Sequence, residues 1–373
     1  MYQKALMYNF GKGVKKDMNK AIEFYQQAAD LKHPKALYNL ALCYLEGEGV
    51  KKDVKKALYY YQQAADLKHV DAIFDIGVIY EQGIGVNQDI DKAIEYHRKG
   101  IDLKNPKAMF NLGVIYEKAI GVKKDMNKAV ELYQQASDLN FPHALFNLAL
   151  CYVDGKGVKK DFKKAVECYQ KAADLKLPEA IINLASIYHN GIYGVNKNFK
   201  KALQYYQQAA DLKNPDALYH LGIFYDNGEG VKKDDKKAFQ YFQQAAALKH
   251  PEAIYNLAVI YQHGSNGVKK DGYKALYYYQ QSAYMKHPSS LHNLGVIHQL
   301  GEIVKKDMKK AAQYYQQAAD LKHSGSIFCL ANCYQSGDGV KKDLNKANQL
   351  FQQAQELGFD LYKKVEETMK FVN

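Results

Sequence analysis

The chain repeats itself every 36 or 37 residues, and that period constrains its fold more than any other feature. A Lys-Ala pair marks the register, its alanine standing at Ala21, Ala57, Ala93, Ala129, Ala165, Ala202, Ala238, Ala275, Ala311 and Ala347. So regular a spacing over 373 residues describes stacked units, each touching mainly its neighbours, in place of two or three globular domains.

One unit, running from His33 to Lys68, reads as two helices. Pro34 takes the first helical position, where its missing N–H costs nothing. Leu37, Leu40, Ala41 and Tyr44 then fall at i, i+3, i+4 and i+7 as one apolar stripe. Gly47 ends the helix in the left-handed conformation that glycine tolerates, and Gly49 allows a second unusual backbone angle. Asp53 caps a second helix, its carboxylate accepting backbone N–H groups at the positive end of the dipole. Ala57, Tyr60, Tyr61, Ala64 and Ala65 give that helix its packing face: small residues admit a neighbour and large ones interlock with it. The expected fold class is all-α, a solenoid of helical hairpins curling into a superhelix with one concave wall.

The units fall near residues 1–33, 34–69, 70–105, 106–141, 142–177, 178–214, 215–250, 251–287, 288–323 and 324–357. A capping helix is expected over 358–373. Met1 aligns with Leu37, so the first unit is expected to be truncated, or the chain to be a fragment of something longer. Two loops, Gly191 to Gly194 and Gly264 to Gly267, each carry one extra residue. Ala119 replaces the first turn glycine of one unit and Ile303 the second glycine of another. A β-branched residue resists positive φ, so the turn at Ile303 should differ from its sisters.

Composition narrows the function classes. Apolar content of 47% is ample for burial. No run approaches the ~18–20 apolar residues of a membrane span, and the opening MYQKALMYNF lacks a signal-peptide core. Five cysteines follow no pairing pattern; Cys43, Cys151 and Cys333 alternate with isoleucine at one helix position, as small buried hydrophobes do. This suits a reducing, intracellular compartment, and a cytoplasmic location is expected. The formal charge of +12 raises nucleic acid as a partner, yet Arg98 is the only arginine. Phosphate readers favour the bidentate arginine fork, so a lysine excess reads first as a solvated surface.

The pattern A-x-x-x-L-[AG]-x-x-Y-x-x-G-x-G-V-x-x-D-x-x-K-A-x-x-[YF]-[YF]-x-x-A-A, readable from Ala36 to Ala65 and with small changes in every unit, resembles the Sel1-like repeat. That family is a relative of the tetratricopeptide repeat, and the resemblance covers about residues 1–357. It implies a right-handed α–α superhelix and a non-enzymatic adaptor or scaffold in multi-protein assemblies of quality control, signalling or bacteria–host contact. A secreted branch carries a cysteine pair in each repeat. This chain lacks those pairs, so no penicillin-binding or lactamase activity carries over from it. Many members also carry tryptophan in the second helix, where this chain has tyrosine or phenylalanine.

No catalytic constellation stands out: there is no G-x-S-x-G, H-E-x-x-H or P-loop, and no cofactor or metal ion is expected. Cys329 and Cys333 lie four apart, but no second pair completes a metal site. Five histidines, His33, His69, His250, His287 and His323, share one position before a helix and read as caps or turn residues. The first helix of each unit is apolar nearly all round except at one position, filled by Asn39, Asp75, Asn111, Asn147, Asn183, His220, Asn256, Asn293 and Cys329. The resemblance implies that first helices line the concave groove, where asparagines hold a peptide backbone. The alternative is that each asparagine bonds a neighbouring repeat and is purely structural. Near the helix end the residues vary between copies, among them Glu81, Glu117 and Asp226, and these are the candidates for partner choice. A second lead is a lysine rim before the Asp caps, with Lys51, Lys52, Lys123, Lys124, Lys159, Lys160, Lys232 and Lys233. It would suit an acidic partner or a phosphate backbone, or simply keep a long array soluble. The expected function is a scaffold binding a protein or peptide in the groove; the alternative is a basic-rim binder of nucleic acid or anionic surfaces.

Overall fold

The computed structural model describes residues 1–359, so the capping helix expected beyond Leu357 lies outside the described residues. Among these residues all regular secondary structure is helical. Packing groups the chain into two compact units: unit 1 spans residues 1–184, and unit 2 runs from Ala185 onward.

Unit 1 holds α1 (Tyr2–Phe10), α2 (Met18–Asp30), α3 (Pro34–Glu46), α4 (Val54–Asp66) and α5 (Val70–Gln82). It continues through α6 (Ile90–Asp102), α7 (Pro106–Lys118), α8 (Met126–Asp138), α9 (Pro142–Asp154) and α10 (Phe162–Asp174). The unit boundary falls inside α11 (Pro178–Asn190). Unit 2 has α12 (Phe199–Asp211), α13 (Pro215–Asn227), α14 (Asp235–Ala247), α15 (Pro251–His263) and α16 (Gly272–Tyr284). It goes on through α17 (Pro288–Leu300), α18 (Met308–Asp320), α19 (Ser324–Ser336) and α20 (Leu344–Glu356). Within each unit every helix packs on the next, as nearest-neighbour stacking requires.

The helix ends sit where the sequence places them. Asp53 Oδ1 accepts from the Lys56 amide at 3.0 Å, and the same cap recurs at Asp89, Asp125, Asp161, Asp234 and Asp307. Gly47 closes α3 at φ 79, and Gly49 takes φ 71. The histidines are caps as well: Nδ1 of His33, His69 and His250 accepts from the amide three residues on. Each cap also satisfies a backbone donor that the helix leaves orphaned.

The core alternates small and large. Ala57, Ala64 and Tyr61 of α4 are fully buried, as are Leu40 and Ala41 of α3. A buried leucine of this kind contributes about 1.5–3 kcal/mol. Even-numbered helices are also clamped across repeats: Tyr60 Oη donates to Gln26 Oε1 at 3.0 Å, and Tyr241 Oη to Gln207 Oε1 at 3.1 Å. At the junctions, the ring at the Tyr38 position stacks on the next cap. Tyr38 lies 4.7 Å from His69 and Tyr219 lies 4.6 Å from His250, while Phe110 meets Phe141 at 5.5 Å.

Two features go beyond the sequence reading. After each even-numbered helix the turn uses a left-handed lysine or asparagine, from Lys32 and Lys68 to Asn140 and Lys322, with glycine there only at Gly358. The other is the turn at Ile303, which does stay out of positive φ, as expected. Its compensation was not anticipated. Elsewhere the second turn glycine presses on the first residue of the preceding even helix: an added Cβ on Gly85 would sit 2.6 Å from Val54, and one on Gly121 would sit 2.9 Å from Ile90. Here the pair is exchanged. Gly272 opens α16, and the Ile303 side chain reaches back to within 3.0 Å of where its Cβ would be.

Candidate interaction face

Odd-numbered and even-numbered helices present different free surfaces. On the even helices the solvent-facing register is mixed, with Lys55, Glu131 and Glu167 exposed but Tyr59 and Tyr277 exposed as well. On the odd helices the equivalent surface is aliphatic and half-open, with Leu42, Val78 and Val114 half-buried and Leu150 38% exposed. Flanking them at one register are Asn39, Asn111, Asn147, Asn183, Asn256 and Asn293, all half-buried.

The variable helix-end residues converge on one target, the buried tyrosine of the even helix. Asn9 Nδ2 donates to Tyr25 Oη at 3.0 Å, whereas Asn39 Nδ2 donates to Tyr2 Oη, on the preceding odd helix, at 3.4 Å. Tyr133 Oη donates to Glu117 Oε2 at 2.5 Å, with the Asn147 amide beside it. Tyr279 donates to Gln262 and Tyr315 to Gln299. Asn256 bonds the Tyr219 hydroxyl instead. Where the even helix carries His97, its Nε2 meets Glu81 Oε2 at 3.2 Å. Where it carries Phe242, with no hydroxyl, Asp226 turns to Asn266 at 3.3 Å. Each bonded asparagine spends part of its capacity inside the protein, and a half-exposed amide has further donor and acceptor sites to offer.

Two ladder positions are ionisable, and burial pushes both toward neutrality. The Asp75 carboxyl is raised to about 6, mainly by burial, with a hydrogen bond from Tyr38 opposing the rise. The His220 ring is pushed down to about 4 by burial and by neighbouring His189. The Tyr61 hydroxyl beside Asp75 is buried with no hydrogen-bond partner among the described residues, because Leu45 stands where other copies offer an acceptor. Burial also raises the thiols of Cys43, Cys151, Cys168 and Cys333 to about 11, which leaves them unreactive at neutral pH.

The eight rim lysines are all exposed. Lys233 pairs with Asp235 at 3.4 Å and Lys160 lies 5.5 Å from the Phe162 ring, whereas Lys51, Lys52, Lys123 and Lys124 form no ion pair among the described residues. A third lysine per repeat has a different use that the sequence did not disclose. The lysine of the Lys-Ala pair lies over an odd-helix ring, Lys56 over Tyr44 at 5.2 Å and Lys237 over Tyr225 at 5.0 Å. The far face of that ring stacks on Tyr60 or Tyr241.

Paired 13-residue helices with Asp-capped entries and left-handed glycine exits define a helical-repeat protein. The Sel1 repeat family model matches residues 1–33, 34–69, 70–105, 106–141, 142–177, 178–214, 215–250, 251–287, 288–323 and 327–359. The chain belongs to the Sel1 repeat family. It is similar to c5321, a protective antigen present in uropathogenic Escherichia coli strains and displaying an SLR fold. That match has a TM-score of 0.71 and 28% identity, covering 95% of this chain and 78% of the other. A Sel1 repeat protein from Oxalobacter formigenes aligns with a TM-score of 0.68 and 25% identity, covering 84% of this chain and 90% of that one. No curated protein sequence matches the chain. Sel1-repeat proteins are generally non-catalytic scaffolds for protein interaction. Among the described residues no helix is long and apolar enough to cross a membrane, and no group of three or more His, Cys, Asp or Glu is placed to hold a metal ion.

Proposed function

We propose that the protein is a non-enzymatic scaffold that binds an extended peptide or protein segment along the free face of its odd-numbered helices. The observation carrying this is the half-open aliphatic line of Leu42, Val78, Val114 and Leu150, bordered by asparagines with spare hydrogen-bonding capacity. An extended ligand gains apolar burial from the first and backbone hydrogen bonds from the second. The even-helix face interrupts its apolar surface with charge at the register of Glu131 and Glu167, and so rewards apolar burial less evenly. Glu81, Glu117 and Asp226 border the same face, where they set its charge toward the ligand.

Phage-displayed random dodecapeptides panned on the purified chain test this reading. Enriched peptides should lose at least about ten-fold in affinity on Leu150→Lys, with little change on the even-face control Glu167→Lys. Equal binding to wild type and Leu150→Lys, or loss on the even-face control alone, would sink the assignment.

A further inference from the structure

Unit 2 contains a cavity of about 490 Å3 bounded by α15, α16, α17 and the turn that follows α17. Its apolar wall is formed by Tyr273, Ile297, Leu300 and Ile303, and its polar edge includes His263 and Lys270. The exchange of Gly272 and Ile303 shapes this space. In several sister repeats a side chain such as Val54, Ile90 or Phe199 opens the even helix and lies against glycine; here glycine opens the helix and no side chain extends from it. We propose that the cavity is an anchor site for one large apolar side chain of an acidic peptide segment, a reading that rests on the interaction face described above.

Three observations select that occupant. The volume falls within the ~300–1,000 Å3 of built ligand pockets and holds a phenylalanine-sized group with its flanking backbone. Two large side chains at the site are left open, Tyr273 at 76% and Leu300 at 57% exposed. Sister copies place Lys55, Lys163 and Lys309 at the first of these positions and Glu46, Asp154 and Ser336 at the second, so the apolar pair belongs to this copy alone. The third is charge. Lys269, Lys270, Lys305 and Lys306 are exposed on the two neighbouring turns, whereas Glu302 is the acidic side chain that lines the cavity. The nearby carboxylates of Asp271 and Asp307 are engaged as helix caps. An acidic segment is therefore attracted to this site, and the apolar wall rewards a bulky residue within it.

The test uses the full chain and three fluorescein-labelled ten-residue peptides, read by fluorescence anisotropy. One is built of Glu and Asp around a central Phe, one has Ser in place of the Phe, and one keeps the Phe but replaces the acids with Lys. Wild type should bind the acidic Phe peptide at least about ten-fold more tightly than either other peptide. Leu300→Glu, on an exposed residue, and Gly272→Met, which places a side chain in the cavity, should each abolish the Phe-over-Ser preference without changing the helical signal. Equal affinity for the Phe and Ser peptides, an unchanged preference in both variants, or no binding of the acidic Phe peptide at millimolar concentration would overturn the proposal. If the panned peptides still depend on Leu150 in that event, the odd-helix reading stands and the anchor site alone falls.

Discussion

Units 1 and 2 solve one hydrogen-bonding problem with different charge. In both, a buried tyrosine hydroxyl on an even helix faces the end of the odd helix of its own repeat. Unit 1 answers it variously, with the Glu117 carboxylate at Tyr133, the Asn9 amide at Tyr25 and apolar Leu45 at Tyr61, and unit 2 supplies an amide acceptor, Gln262 to Tyr279 and Gln299 to Tyr315. The fold prefers a partner here and is indifferent to its charge. The helix-end surface of unit 1, with Glu46, Glu81, Glu117 and Asp154 against Lys118, is net acidic, whereas unit 2 offers His189, Gln262, His263, Gln299 and Leu300 with Asp226 its one carboxylate at these two positions. Ligand preference can drift between units while the packing beneath it stays constant.

The largest effect is expected from moving unit 2's turn into unit 1. Gly85→Ile forces a β-branched residue toward positive φ and against Val54, and should cost about 3 kcal/mol or more in a urea melt. Adding Val54→Gly rebuilds the Gly272–Ile303 arrangement and should return a large part of that loss. Strictly additive losses would show that the exchange is not what makes Ile303 tolerable.

Acidification should move the two ladder exceptions in opposite directions. Asp75 has a raised pKa, so the folded state holds its proton more tightly than the unfolded chain. Its contribution is unfavourable above about 6 and fades as the pH falls toward its ordinary value. His220 has a lowered pKa, so stability is lost as the pH falls from the ordinary histidine value through about 4. Asp75→Asn should therefore stabilise by about 1–2 kcal/mol at pH 7.5, with the gain shrinking by pH 4.5. His220→Asn should compare more favourably with wild type at pH 4.5 than at pH 7.5. Thermal melts of both variants at the two pH values check the signs, and a common sign would refute the comparison.

A smaller contrast lies inside unit 1. Tyr133→Phe removes a hydroxyl bonded to Glu117 and should cost about 1 kcal/mol, whereas Tyr61→Phe removes one without a partner among the described residues and should be neutral or slightly stabilising. Glu117→Gln keeps the acceptor and should leave the melting point nearly unchanged. An equal loss in the two Tyr→Phe variants would deny the acceptor its role.

Repetition made the hairpins, their caps and their buried alanines legible, because each was written many times at one spacing. The histidine caps were readable for the same reason. The partners of the asparagine ladder were not, since Asn147 and Tyr133 meet only after neighbouring repeats stack. The left-handed lysines were hidden as well: lysine has no intrinsic preference for that conformation, and it is imposed by the helix-ending turn, in which the Lys68 and His69 amides donate back to the Ala65 and Ala64 carbonyls. Ile303 was visible as an exception, while its compensation at Gly272 lay 31 residues upstream, in a position that looked like ordinary variation.

The stacked junction rings bear on how such a gene can lengthen or shorten. Tyr2, Tyr38, Tyr219, Tyr255 and His292 are each followed by a histidine cap, whereas Phe74, Phe110, Phe146 and Phe328 are followed by Asn105, Phe141, Leu177 and Phe359. Both members of a matched pair lie within one segment of the Pro34–His69 type. Unequal crossing-over just after the cap copies or deletes the pair intact, while a crossover in the glycine turn separates its halves and leaves a tyrosine facing the wrong neighbour. Inheritance of whole repeats therefore has a favoured phase, and it is set by which rings touch.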